Sequence, residues 1–277
     1  MKREAGSELD LPIDPSASAS PIVHNQSVLK AVGLIGCFVG QPGGKTLTEL
    51  AKQMGMNIST AYRMLQTLTA TGVLRRNEGD ERYYVGPMLL GLAGAIFSDG
   101  GFDVVLSILT DVVDQVNESA CIALRSDDCA AILLSVGSRQ PLRFQHRAGS
   151  RIPIHCSAAG KALLAFSGRD GRDVVAELGP LRAMTVRSVV RQDILVGELE
   201  AARQSGYALS NEEHNLGVRS VGVPIRRDNQ PSRLAISVQG PVSRMDAAAI
   251  ARIVEVSQQA AERIADLPLN ERLRVPP

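Results

Sequence analysis

The run TLTELAKQMGMNISTAYRMLQTLTATGVLRRNEGDERYY, Thr46 to Tyr84, decides how the first part of this 277-residue chain is read. Leu47, Leu50, Ala51 and Met54 follow the i, i+3, i+4, i+7 spacing of one buried helical face, and Thr48 with Glu49 suits a polar first turn. Gly55 breaks that helix. Asn57 or Ser59 can cap the next one, in which Ala61, Met64, Leu65 and Leu68 repeat the apolar stripe until Gly72 stops it. The opposite face keeps Ser59, Thr60, Tyr62, Arg63, Gln66 and Thr67. Hydroxyls, an amide and a guanidinium are the groups that hydrogen-bond phosphates and base edges in a major groove. Val73 to Arg76 and Arg82 to Val85 then flank a polar turn, a short hairpin whose Arg75, Arg76 and Arg82 are placed to meet a phosphate backbone. Helix, turn, helix and basic hairpin outline a winged helix-turn-helix. Thr46, Asn57, Ser59, Thr60, Tyr62, Arg63, Gln66, Arg75, Arg76 and Arg82 are the candidate DNA contacts. A helical pair with a polar outer face also occurs as a solvated corner of a fold. The arginines bracketing the turn favour DNA, since a merely soluble hairpin more often mixes its charges.

Composition narrows the partner. The net charge is only +1, yet between His24 and Gly86 seven Lys and Arg face four acids, so the basic excess is local to this segment. No Trp and 3% aromatic residues argue against stacking platforms for single strands, leaving duplex DNA. Cys37, Cys121, Cys129 and Cys156 stand among apolar neighbours without a CxxC pair or a histidine at ligand spacing, which reads as buried reduced thiols. No metal or cofactor is expected. No apolar run reaches the roughly 18 residues of a membrane span and the N-terminus has no signal-type core, so a cytoplasmic protein is expected.

Taken in order, residues 1–23 lack periodicity and are expected to be a disordered tail. A winged unit over 24–86 opens with a helix from Ser27 to Val39. GQPGGKT, ending at Thr46, imitates a phosphate-binding loop but has Val39 where the pattern needs glycine, and a helix before it instead of a strand. An apolar linker helix over 87–101 includes PMLLGLAGAIF and has to bury its surface, which points to self-association. Its plainer alternative is packing on its own wing. From 102 to 266 an amphipathic helix (Phe102–Val116) precedes strands at Ala120–Leu124, Ala130–Val136 and Leu142–Gln145. Helices at Ser157–Phe166, Asp170–Leu178 and Asp193–Ser205 come next, then strands at Tyr207–Ser210, Val218–Arg226 and Leu234–Gln239 and a closing helix, Asp246–Ile264. This mixture makes an α+β domain, and 267–277 is read as a tail.

With both halves in view, the chain resembles the IclR family of bacterial transcription regulators from about Gln26 to Ile264. TAYRMLQTL, YYVGPMLLGLA, PIHCSAAGKALLA, SGYALSNEEHNLGVRSVGVP and AISVQGP carry the resemblance in the right order. It implies a winged helix-turn-helix, a linker helix and a GAF-like effector-binding domain, assembled as a dimer or a dimer of dimers on operator DNA. Function then reads as an effector-responsive regulator, a repressor of a catabolic operon. Carried over by motif, the effector pocket falls on Ala158, Ala159, Ser210, Val218, Ser220, Ser237 and Gln239, with Phe144 as an apolar wall. Ser210, Ser220 and Gln239 stand where relatives that hold small oxo-acids tend to carry Asp, Cys and Ser. Their groups both donate and accept, and no Arg or Lys sits at a matched position. Backbone N–H groups around Ala158 to Gly160 are left to hold an anion, so a small organic or aromatic acid, or its neutral relative, is expected.

Two rivals belong to other classes. A hydrolase centred on His155, Cys156 and Ser157 requires a base beside the nucleophile, but adjacent strand residues point to opposite faces and the Ser157–Lys161 spacing misses S-x-x-K. Glu212, Glu213 and His214 likewise lack metal-ligand spacing and read as a rim. A protein-interaction module dimerising through the apolar linker differs from a regulator in not needing Arg63, Arg75 and Arg82 for retention on DNA.

Overall fold

The computed structural model describes residues 25–39, 43–126 and 128–267, without the side chains of 94–100. The tails expected at 1–23 and beyond Leu267, and residues 40–42 of the glycine-rich motif, lie outside the described residues. The chain divides into two units, residues 1–95 and 96–277.

In the first unit, α1 (Gln26–Gly36) starts at Asn25, whose side chain accepts from the N–H groups of Ser27 and Val28. α2 (Leu47–Gln53) and α3 (Ile58–Ala70) follow, then the antiparallel strands β1 (Leu74–Arg76) and β2 (Tyr83–Val85). The expected stripes face inward, since Leu34, Cys37, Leu50, Leu65, Leu68, Leu74 and Tyr83 form one apolar core. Lys45 bridges the other edge of β2, exchanging backbone bonds of 2.8 and 2.9 Å with Tyr83. Gly86 closes the wing tightly, because a Cβ there would stand 2.1 Å from the Gly72 carbonyl oxygen. α4 (Pro87–Gly100) begins immediately, with Met88, Leu90 and Leu92 exposed on the single chain.

The second unit is a six-stranded antiparallel sheet between two helical layers. Its strands are β3 (Ser119–Ser126), β4 (Cys129–Val136), β5 (Arg151–Pro153), β6 (Ala208–Asn211), β7 (Val218–Ile225) and β8 (Leu234–Pro241), in the order β5-β4-β3-β8-β7-β6. α5 (Phe102–Val116) and α9 (Ala247–Ala265) cover one face; α6 (Ala158–Ala165), α7 (Gly171–Ala176) and α8 (Gln192–Ser205) cover the other. Strand alternation divides the chemistry. On β8, Ile236 and Val238 join the layer with α5 and α9, whereas Ala235, Ser237 and Gln239 face the α6 side.

Two expectations need correction. Leu142–Gln145 is not a strand; residues 143–147 have no regular structure, and the sheet edge is Arg151–Pro153 instead. Leu142 is 69% exposed and Phe144 points to a recess, so neither has a sheet neighbour to pack on. His155 and Cys156 lie in a turn after β5, not in a strand, so alternation does not separate them.

Candidate DNA interface and effector recess

Asn57 caps α3, its side-chain oxygen accepting from the Thr60 N–H at 2.8 Å and from the Ser59 hydroxyl at 3.0 Å. Ser59 is thereby the cap's companion and not the cap. Tyr62, Arg63, Gln66 and Thr67 are exposed on one face, where Gln66 donates to the Tyr62 hydroxyl at 2.9 Å. Arg63 stands exposed beside that pair.

The remaining candidates are partly engaged within the unit. Thr46 and Glu49 form a capping box, with bonds of 3.2 and 2.7 Å, and the Thr46 N–H chiefly holds the Glu49 carboxyl below its ordinary value. Arg82 donates to the Gly44 carbonyl at 2.7 Å and approaches Glu49 at 3.4 Å, fastening the wing to the start of α2. Arg75 lies over the Tyr84 ring at 4.6 Å, and Arg76 pairs with Glu81 at 3.1 Å. Because Thr46 is an N-cap, Thr46→Ala should cost about 1 kcal/mol in urea unfolding. Unchanged stability would mean that the cap carries nothing.

On the α6 side of the second sheet, Phe144, Ala158, Ser210, Val218, Ser220, Ser237 and Gln239 line one recess. Ala159 does not line it; fully buried, it belongs to the core beneath. The recess spans β6, β7, β8 and the first turn of α6, where a glycine lets main chains touch: a Cβ on Gly222 of β7 would stand 2.2 Å from the Ala158 oxygen. Ser210 donates to the Cys156 carbonyl at 2.7 Å. Gln239 is wholly buried and its amide nitrogen has no partner among the described residues, an open donor at the recess.

Sequence reasoning did not place His146, Ile152, Ser157, His214 and Asn215 in this lining. The histidines are 68 positions apart (214 minus 146), so no spacing pattern could bring them together. His146 and His214 stack with ring centroids 5.7 Å apart, and Phe144 meets His146 edge-on at 5.1 Å. Burial, with the neighbouring His214, lowers His146 to about 4; burial, with His155, lowers His214. The cavity at the recess amounts to only about 10 Å³. That is room for roughly one water, so a larger occupant has to part the lining.

The His155–Ser157 segment does not assemble a nucleophile. Ser157 donates to the Pro153 carbonyl at 2.5 Å and accepts from the Gly160 N–H at 3.2 Å, as the N-cap of α6. Cys156 is fully buried, its thiol pushed up to about 12 by burial and then by Glu213. His155 is spent on the Arg182 carbonyl at 2.9 Å. Among the described residues no three His, Cys, Asp or Glu could hold a metal ion, and no helix is long and apolar enough to cross a membrane.

Comparison with known proteins agrees with both halves. The IclR helix-turn-helix domain matches residues 27–78, and the bacterial transcriptional regulator IclR C-terminal domain matches 102–266. The acetate operon repressor of Salmonella typhimurium is 30% identical over 236 residues, covering 83% of this chain and 86% of that protein. The transcriptional repressor IclR of Escherichia coli is 29% identical over the same length, with the same coverage. Among solved structures, the IclR transcriptional regulator of Alicyclobacillus acidocaldarius superposes with a TM-score of 0.76 at 26% identity, over 86% of this chain and 97% of that one. An IclR homologue from Microbacterium hydrocarbonoxydans, complexed with 4-hydroxybenzoate, shares the fold with a TM-score of 0.74 at 23% identity, over 86% and 97% of the two chains. These relatives are regulators and not enzymes. The chain belongs to the IclR family of DNA-binding bacterial transcription regulators.

Proposed function

We propose that the chain is an effector-responsive repressor of a catabolic operon, acting in the cytoplasm, whose ligand is a small organic or aromatic acid held in the recess. The wholly buried Gln239, with an amide donor unused at the recess, carries this reading. An unsatisfied buried donor costs about 1–3 kcal/mol, which a carboxylate or carbonyl oxygen would recover on binding. Ser220, directly opposite Gln239 on β7, and Ser237, two residues before it on β8, supply hydroxyls that donate or accept. A winged unit over 24–86, a linker over 87–101 and an effector domain over 102–266 give the division of labour. The exposed apolar residues of α4 support a dimer, or a dimer of dimers, on two half-sites.

Arg63 is assigned to a base edge, with Ser59, Thr60, Tyr62 and Gln66 beside it on α3. Arg75 and Arg76 are assigned to phosphates; Thr46, Asn57 and Arg82 serve the interface by fixing its parts. Arg63→Ala should cost about 1–3 kcal/mol and relax preference at one position per half-site. Arg76→Ala should weaken all sequences alike and flatten the salt slope. Equal, sequence-independent losses in a binding titration would reassign Arg63 to positioning.

The test of the whole reading is fluorescence anisotropy with the DNA upstream of the chain's own gene, with and without a panel of small acids that includes 4-hydroxybenzoate. Linkage requires operator and acid to change each other's affinity by the same factor. An acid that binds equally well with and without operator would refute effector control.

A further inference from the structure

The recess has walls of two kinds. Ser220, Ser237 and Gln239 sit on hydrogen-bonded strands, and Ser210 is tied to the Cys156 carbonyl. Phe144 and His146 belong instead to the irregular run 143–147, and His214 lies in the turn region between β6 and β7. The two irregular walls meet through the stacked imidazoles. Since the closed recess holds about one water, the histidine pair marks the seam along which it can open.

An entering carboxylate brings a charge into a site that offers no fixed cation. The nearby cations are committed: Lys161 lies between Glu198 and Glu213, Arg187 pairs with Glu212, and Arg219 donates to Asn211 and to the Met245 carbonyl. His155, the remaining titratable group beside His214, is held by the Arg182 carbonyl. Arg143, on the same run as His146, donates to the Gln140 carbonyl. Among the residues that line the recess, the groups able to supply a countercharge are His146 and His214.

We infer that this histidine pair is the anion receptor of the recess: an acid parts the two rings and is held as a carboxylate against one imidazolium, with a proton taken up from solvent. The proton goes to an imidazole nitrogen and no covalent bond changes. The inference rests on the acid-effector reading above. In the empty site burial keeps His146 neutral at pH 7, its value lying near 4. An adjacent carboxylate raises it, so the bound complex carries more protons than its parts. The sign follows: once the acid's own carboxyl is ionised, above a value of about 4, affinity falls as pH rises towards the bound histidine value, by up to tenfold per pH unit. A neutral ligand shows no such fall.

The experiment is calorimetric titration of the full chain with 4-hydroxybenzoate, benzoate and acetate, and with the neutral 4-hydroxybenzamide. Two buffers of different ionisation enthalpy report the protons exchanged. Expected is uptake approaching one proton per site for a bound acid and none for the amide, with the uptake abolished in His146→Gln/His214→Gln. Acid binding without proton uptake, or uptake that persists in the double variant, overturns the histidine receptor and leaves the acid-effector reading standing. Failure of all three acids to bind at millimolar concentration, while operator binding is intact, overturns both.

Discussion

Replacing Lys161 with alanine is expected to destabilise the fold by about 3–5 kcal/mol, the usual cost of removing one partner from a buried ion pair. Lys161 is 2% exposed, and its ammonium lies 2.7 Å from Glu213 and 2.9 Å from Glu198. Glu213 is buried too; one of its oxygens also accepts the Asn211 N–H at 3.1 Å, and the other has no partner among the described residues. Without Lys161 that carboxylate stays buried with one N–H for support. Burial already raises the Glu213 carboxyl despite the lysine, and the variant raises it further. A carboxyl whose folded value lies above its unfolded value of about 4.3 loses stability as pH rises between the two. The defect should thus be smaller at pH 5 than at pH 8 in urea unfolding. Combining Lys161→Met with Glu213→Gln should recover most of the loss, since neither partner is then charged. A pH-independent loss below about 1 kcal/mol would show that the pair is no more than a surface bridge.

Gly222→Ala is the second large effect. The new methyl would stand 2.2 Å from the Ala158 oxygen, 2.4 Å from its carbonyl carbon and 2.9 Å from the Ala159 nitrogen. All three are main-chain atoms of the α6 first turn, so no rotamer change relieves the contact. Overpacking costs typically about 1–3 kcal/mol, and an obstacle of backbone belongs at the upper end. For a domain of this size that lowers Tm by roughly 6–12 °C. Because the turn that has to move lines the recess, response to any acid should be lost with it. Gly33→Ala is the control: the methyl would meet the end of the Met54 side chain at 2.5 Å, which can swing aside. Equal melting of the two variants would refute the argument from main-chain contact.

These sites differ in how far the sequence revealed them. The stripes of α2 and α3 were legible because periodicity reports burial directly, and Ala61, Leu65 and Leu68 are buried where the spacing puts them. Strand β5 was not, since Arg-Ile-Pro offers a single inward residue, too few for a period to show, while Leu142 and Phe144 alternate for reasons unrelated to a sheet. Most of the recess lining was reached through motifs matched to a family. The histidines fell outside those motif positions, His214 passing for a solvated rim and His146 having no pattern at all. In the sequence Lys161 stands out only beside Ser157, in a spacing that misses a nucleophile motif; its partners lie 37 and 52 residues away, a distance that composition and spacing do not bridge.

Cys37 lies in the core of the first unit, and Cys121, Cys129 and Cys156 are buried in the second. Burial pushes the thiols of Cys121 and Cys156 up to about 12, and raises those of Cys37 and Cys129 as well. Since the thiolate is the reactive form, burial slows the reaction of these thiols with alkylating agents and oxidants in the folded molecule, most of all at Cys121 and Cys156. It follows that the chain carries an intrinsic clock in each half. A tag on Cys37 records an excursion of the DNA-binding unit, one on Cys121 or Cys156 an excursion of the effector unit, and the ratio of the two tells which half breathes first.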